Sequence, residues 1–226
     1  MTMRYLVFGK SIDMYNRSID SLKRFVVPNK IIIYVLGEDM PKIRRKIDQK
    51  GVMFVCLDEI VSAMPSFRTW DMCQYRLVAD CMFLSEKCVL VDADVLFFRR
   101  PDFIIDWWNG KSKTCFYIKD WQETRQYIAN VVPDEPFPSK FNAGMVLKPQ
   151  GRIDFKFCCT RLYQHPQVRL MNQYLLGVAL MKKHKMEFLP DDYWCSGETP
   201  ENPVAWHLVE RVWDSKRKEI TEMLGV

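Results

Sequence analysis

The sequence predicts an α/β fold: one domain built on a central, mixed but mostly parallel sheet flanked by helices. Three observations carry this expectation. From Arg4 to Cys56 short apolar runs alternate with amphipathic stretches in the order strand, helix, strand, helix, strand, the pattern of a parallel sheet with helices packed on it. Runs such as Ile31 to Leu36 are continuously apolar rather than alternating, as expected of strands covered on both faces. No repeat, low-complexity tract or linker divides the 226 residues, so 1–226 is read as a single domain.

Taken in order, Arg4 to Phe8 is the first strand and Gly9-Lys10-Ser11 its turn. Ile12, Tyr15, Ile19 and Leu22 then recur at helical spacing in a helix from Ile12 to Phe25. Ile31 to Leu36 is a second strand ended by Gly37, Pro41 to Gln49 a short basic helix stopped by Gly51, and Val52 to Cys56 a third strand. Trp70, Cys73, Leu77, Cys81 and Leu84 mark a helix from Phe67 to Ser85. Asp102 to Trp108 reads as a helix with Trp107 and Trp108 beneath the sheet, and Thr114 to Ile118 as a strand. Asp120 to Lys140 carries Pro133, Pro136 and Pro138; a helical piece fits Trp121 to Ala129, and the stretch is either an acceptor-binding loop or a connector. Phe141 to Leu147 is a strand with a polar, glycine-containing start, where the absent side chain of Gly144 allows a ligand to approach. Helices follow over Ile153 to Tyr163 and Val168 to Lys182, the second with Asn172 and Gln173 in its first turns. Met186 to Leu189 and Val204 to Leu208 are strands, and Glu210 to Leu224 is a charged amphipathic helix.

The chain is organised around Cys88 to Phe98, an apolar run broken by Asp92 and Asp94. Carboxylates inside a buried strand need a partner. A hard divalent cation such as Mn²⁺ or Mg²⁺ is one, since it takes oxygen ligands and leaves positions open for phosphate; a solvated strand end is the plainer reading. Arg76 lies nine residues before the end of its helix, about 13 Å at ~1.5 Å per residue, and Val89 to Asp92 climbs back a similar distance. Arg76 is therefore expected level with Asp92. His207, inside Val204 to Leu208, is by itself more readily a hydrogen-bonded core histidine than a ligand.

Net charge +5 suits an anionic ligand, but the basic residues are scattered, which argues against a nucleic-acid face. No stretch approaches a membrane span, and Tyr5 to Phe8 is too short for a secretory signal. The eight cysteines lack zinc-site spacing and mostly lie in apolar segments, so reduced thiols in a cytoplasmic protein are expected.

Read together, Phe8-Gly9-Lys10, Arg76 sixteen residues before Asp92, Val-Asp-Ala-Asp-Val, Phe-Asn-Ala-Gly-Met-Val, Asn172-Gln173 and Trp-His-Leu resemble the GT-A glycosyltransferases. Within these they are most similar to family 8, which includes glycogenin and bacterial galactosyltransferases. The resemblance runs from about Tyr5 to His207 and implies a Rossmann-like GT-A domain that moves a hexose-type sugar from a UDP-sugar to a glycan or glycoprotein acceptor, with retention of configuration. It implies Mn²⁺ or Mg²⁺ on Asp92, Asp94 and His207, and donor contacts from Phe8, Gly9, Lys10, Tyr15, Arg76, Asp92, Ala93, Asn142, Ala143 and Gly144. Gln173, Arg76 and Asn172 would be the catalytic residues, although Asn172 stands where the family has a carboxylate. Trp213 replaces a family lysine, for which Arg211 or Lys216 would substitute, and Asp191 and Asp192 are either acceptor contacts or a turn. The chain is also similar to the small domain of large-DNA-virus (chlorovirus) capsid glycosyltransferases, which implies action in a host cytoplasm. Two rival readings fit the aspartate pair: a metal-dependent nucleotidyltransferase or nuclease, and an inactive nucleotide-sugar-binding module.

Overall fold

The computed structural model describes residues 1–47, 51–64, 72–83, 85–120, 136–165, 171–195, 198–208 and 210–224. The strands are β1 (Thr2–Leu6), β2 (Lys30–Val35), β3 (Val52–Cys56), β4 (Cys88–Asp92), β5 (Val95–Phe97), β6 (Cys115–Lys119), β7 (Phe141–Lys148), β8 (Met186–Phe188), β9 (Tyr193–Cys195) and β10 (Ala205–His207). The helices are α1 (Ile12–Lys23), α2 (Met40–Lys46), α3 (Leu57–Ala63), α4 (Met72–Phe83), α5 (Asp102–Asn109), α6 (Phe155–Gln164), α7 (Met171–Met181) and α8 (Glu210–Leu224). None is long and apolar enough to cross a membrane.

Seven strands form the main sheet in the order β3-β2-β1-β4-β7-β6-β8, and β5-β10-β9 form a second, smaller sheet. The main sheet is mixed and mostly parallel, as expected: β4·β7 and β6·β7 are its antiparallel pairs. Strand alternation sorts the core into two layers. On β1, β2 and β4, Tyr5, Ile33 and Val91 face one layer and Leu6, Ile32 and Leu90 the other. Helix α1 buries Ile12, Tyr15, Ile19 and Leu22 in the first layer; α4 and α7 cover the second. Burying such side chains on both faces stabilises the fold by about 25 cal/mol per Å² of apolar surface removed from water, which is why these strands read as unbroken apolar runs.

The order reverses around β1, with β2 on one side and β4 on the other. Their carboxyl ends are level, since Leu6 pairs with Asp92. This is a topological switch point, where two connections leave in opposite directions and open a crevice. Strand β7 is antiparallel to β4, so its first residues arrive where β4 ends; Val91 pairs with Met145, which sets Gly144 level with Asp92.

Several expectations are corrected. Cys88 to Phe98 is two strands in two sheets, because Ala93-Asp94 forms a turn that sends the chain off the main sheet. β1 ends at Leu6 and begins at Thr2, whose segment the apolar pattern misses because Thr2 and Arg4 are buried polar residues. α3 and β9 were not expected from periodicity; each is short, and β9 exists through pairing with β10. Of the two expected sheet-packed tryptophans, Trp107 is buried and Trp108 only partly so. The expected helical stretches 67–71, 121–129 and 168–170 lie outside the described residues.

Candidate active site and metal centre

The turn after β1 is built by side chains that reach it from two directions. Ser11 Oγ accepts the Phe8 N–H at 2.8 Å, and Asp39 Oδ2 accepts the Gly9 N–H at 2.7 Å. A Cβ on Gly9 would lie 2.1 Å from Asp39 Oδ1, so any larger residue here would push the Asp39 carboxylate aside. Asp39 precedes α2 without capping it; the neighbouring of β1 and β2 brings it here. The same device recurs one strand over, where the Gly37 N–H donates to the Asp58 carboxylate. Sequence reading singles out neither aspartate; a glycine closing a strand, with an acid at the end of the next strand, is the signal that points to them.

Between this turn and the Asp92-Ala93-Asp94 turn lies a cavity of about 290 Å³ with mostly apolar walls, lined among others by Phe8, Lys10, Met14, Ala93 and Asp94. Tyr15 does not reach it. It is fully buried, edge-on to Tyr5 at 5.0 Å between ring centres, because the helical period turns it to the sheet and leaves Met14 on the cleft side.

A second cavity of about 170 Å³ adjoins the first at Leu6, Cys73 and Asp92, and Arg76, Asp80, Ala143, Asn172 and Gln173 line it. Arg76 stands level with Asp92, as the rise along α4 and β4 requires, and its Nη1 donates to Asp92 Oδ1 at 2.8 Å. Burial works against the Arg76 charge, but Asp92 and Asp80 more than compensate and raise its pKa. Gln173 holds the start of β7: its Nε2 donates to the Phe141 carbonyl at 2.8 Å and its Oε1 accepts from the Ala143 N–H at 3.3 Å. Asn142 turns inward, accepting from the Gly144 N–H at 2.7 Å and donating to Asp120 at 3.1 Å.

The metal-ligating candidates come together from both sheets. Asp92 ends β4, Asp94 precedes β5, and His207 ends β10, where it pairs with Val95 while the Leu208 N–H donates to the Asp94 carbonyl at 2.9 Å. His207 Nε2 is 3.2 Å from Asp94 Oδ1 and 3.9 Å from Asp92 Oδ2. One ligand atom from each of the three falls within 4.8 Å of the others. Two carboxylates and an imidazole match the donor preferences of Mn²⁺ and, less closely, Mg²⁺, so the residues present fit such an ion. Burial disfavours a charged His207, yet Asp94 and the Cys195 thiol outweigh it and hold its pKa well above the usual histidine range.

Gly144 is corrected. A Cβ there would lie 2.2 Å from Cε1 of His207 and 2.3 Å from its Nδ1, so the space is taken by the histidine ring rather than kept for a ligand. Of the other candidates, Asp192 is in a turn and binds Arg99 at 3.2 Å. Asp191 faces a third cavity of about 260 Å³ with Asp120, Lys140, Trp194 and Glu198. Lys216 binds Glu219 at 3.0 Å on α8, and the side chains of Arg211 and Trp213 lie outside the described residues.

No protein-family model matches the sequence, and no curated protein does. Solved structures do match in fold. The galactosyltransferase LgtC, solved with donor and acceptor sugar analogues, aligns over 100% of this chain and 95% of its own at TM-score 0.61 and 16% identity. Mouse xyloside xylosyltransferase 1 aligns over 94% and 99% at TM-score 0.58 and 9% identity. The glycosyltransferase GlyE of Streptococcus pneumoniae aligns over 99% of this chain and 62% of its own at TM-score 0.55 and 15% identity. The main sheet, its helical layers and the crevice at the β1–β4 switch point are thus those of the GT-A fold.

Proposed function

We propose that this chain is a metal-dependent glycosyltransferase that moves a hexose-type sugar from a UDP-sugar to a glycan or glycoprotein acceptor, with retention of configuration. The observation that carries the reading is the Asp92, Asp94 and His207 cluster at the switch point, with one cavity on the β1 side and another behind Asp92. The apolar cavity between Phe8 and Met14 suits a flat base, and Lys10 at its exposed edge suits an anion. The Arg76, Asn172 and Gln173 cavity would take the sugar, with Ala143 in its wall.

Bound Mn²⁺ or Mg²⁺ would supply Lewis-acid charge against the leaving diphosphate, held by Asp92, Asp94 and His207. Arg76 contributes a second positive charge that costs no reorganisation, since Asp92 and the helix already fix it. Gln173 keeps the β7 backbone at the sugar cavity in place, and its two backbone bonds make it a positioning group as well as a cavity wall. The third cavity suits the acceptor, with Trp194 as a stacking face and Asp120, Asp191 and Glu198 as hydrogen-bond acceptors for its hydroxyls.

A panel of nucleotide sugars, screened by thermal shift with and without Mn²⁺, tests the reading, because a ligand that binds only folded protein raises the melting temperature. A UDP-sugar should stabilise the protein in the presence of the ion, and NMR of the product should show the donor's anomeric configuration. Stabilisation without turnover on any donor would favour the binding-module reading, which Asn172 in place of a carboxylate supports. Inversion would end the retention assignment, and indifference to every nucleotide sugar would end the donor assignment.

A further inference from the structure

We propose that Cys195 is a positioning residue for the metal centre: its Sγ accepts the Nδ1–H of His207 and so turns the Nε2 lone pair toward Asp92 and Asp94. The inference rests on the metal reading above and concerns how this chain prepares its histidine.

Three independent features of the fold converge on the ring. Cys195 and His207 are register partners across β9 and β10, so backbone pairing sets thiol and imidazole side by side, with Sγ 3.4 Å from Nδ1. Both side chains are buried, which removes water as a competing partner for Nδ1. Gly144 leaves the space the ring needs, since a Cβ there would collide with both Nδ1 and Cε1. The ring is therefore held by a thiol and a glycine, and of its two nitrogens Nε2 is the one turned to the carboxylates. An imidazole ligates a cation through one nitrogen, and the tautomer that does so is chosen by the hydrogen bond the other nitrogen donates. That partner is commonly a carboxylate or carbonyl. A thiol is a weak acceptor without formal charge, so Cys195 orients the ring without adding a third negative group to the aspartate pair.

The test uses the whole chain, stripped of metal and titrated with Mn²⁺ alone, free ion being read by electron paramagnetic resonance with no donor present. Cys195→Ala should bind the ion about 10- to 100-fold more weakly than wild type at an unchanged metal-free melting temperature. Cys195→Ser, which keeps an acceptor, should recover most of the affinity. In ¹⁵N spectra of the Mg²⁺-loaded wild type, His207 should be the Nδ1–H tautomer, an assignment that needs no variant to fold. A Cys195→Ala protein that binds Mn²⁺ as tightly as wild type, or an Nε2–H tautomer in the loaded protein, overturns the inference and leaves the metal reading standing. A wild type that takes up no ion overturns both.

Discussion

Two carboxylates flank Arg76, and they differ in almost every respect that decides what a carboxylate does. Asp80, one helical turn further along α4, has a side chain only 2% exposed and accepts from Arg4 at 2.6 Å and from the Tyr34 hydroxyl at 2.8 Å. Asp92, at the end of β4, is 36% exposed and shares its two oxygens between Arg76 and the His207 side. Around Asp80 the cation is an arginine whose pKa is raised and which keeps its proton at any working pH. Around Asp92 and Asp94 the neighbouring base is a histidine, whose Nε2 can carry a proton or, in the function proposed above, bind a metal ion in its place. The same pairing of acid and base is thus permanent where water is excluded and the base is guanidinium, and exchangeable where the strands end and the base is imidazole.

The comparison can be broken at either end. The largest expected effect is at the exchangeable end: Asp94→Asn should lower sugar transfer by at least about 100-fold, the scale of removing one preorganised charge-stabilising group, while the metal-free melting temperature stays within a few degrees. Steady-state assays beside thermal melts would show it, and comparable losses in both would mean that Asp94 is structural. At the permanent end the expectation reverses. Arg4→Ala leaves the buried Asp80 carboxylate without its contacting guanidinium and should cost about 3–5 kcal/mol of unfolding free energy in urea, with activity per folded molecule retained. Replacing both partners by apolar residues of similar size should recover most of that loss, because a buried pair is costly mainly when half of it is removed.

The smallest effect is a pH dependence. His207 has a folded pKa raised well above its unfolded value, so its contribution to stability is fully present below about pH 6.5 and is lost as pH rises through the folded pKa. The metal-free protein should therefore lose melting temperature on the alkaline side of neutrality. Asp94→Asn should flatten that slope. Added Mn²⁺ should reverse its sign, since the ion displaces the same proton and binds more tightly as pH rises.

Much of this site is legible in the sequence, and the reason differs by residue. Arg76 facing Asp92 follows from two known rises along one helix and one strand, a short-range calculation that the 2.8 Å contact bears out. Helical spacing sets Tyr15 with Ile12, Ile19 and Leu22 on the apolar face, where the structure buries it; the donor contact implied by the resemblance is what fails, and Met14 lines the cleft instead. Gly144 misleads, since its missing side chain makes room for a ring that arrives from 63 residues later in the chain. Asp80 carries no legible signal, because its partner Arg4 lies far away in sequence.

By itself the sequence determines the α/β class, most of the main-sheet strands and helices, and the presence of two aspartates where an apolar run should continue. These are readable because periodicity and the cost of burying charge act within a few residues. Tertiary structure alone decides that Asp92 ends a main-sheet strand while Asp94 lies in the turn leading to the second sheet, that β10 delivers His207 to both, and that Cys195 and Gly144 seat its ring. Those decisions depend on strand order and register, set by which faces must be buried across the whole chain, and no local stretch contains that information.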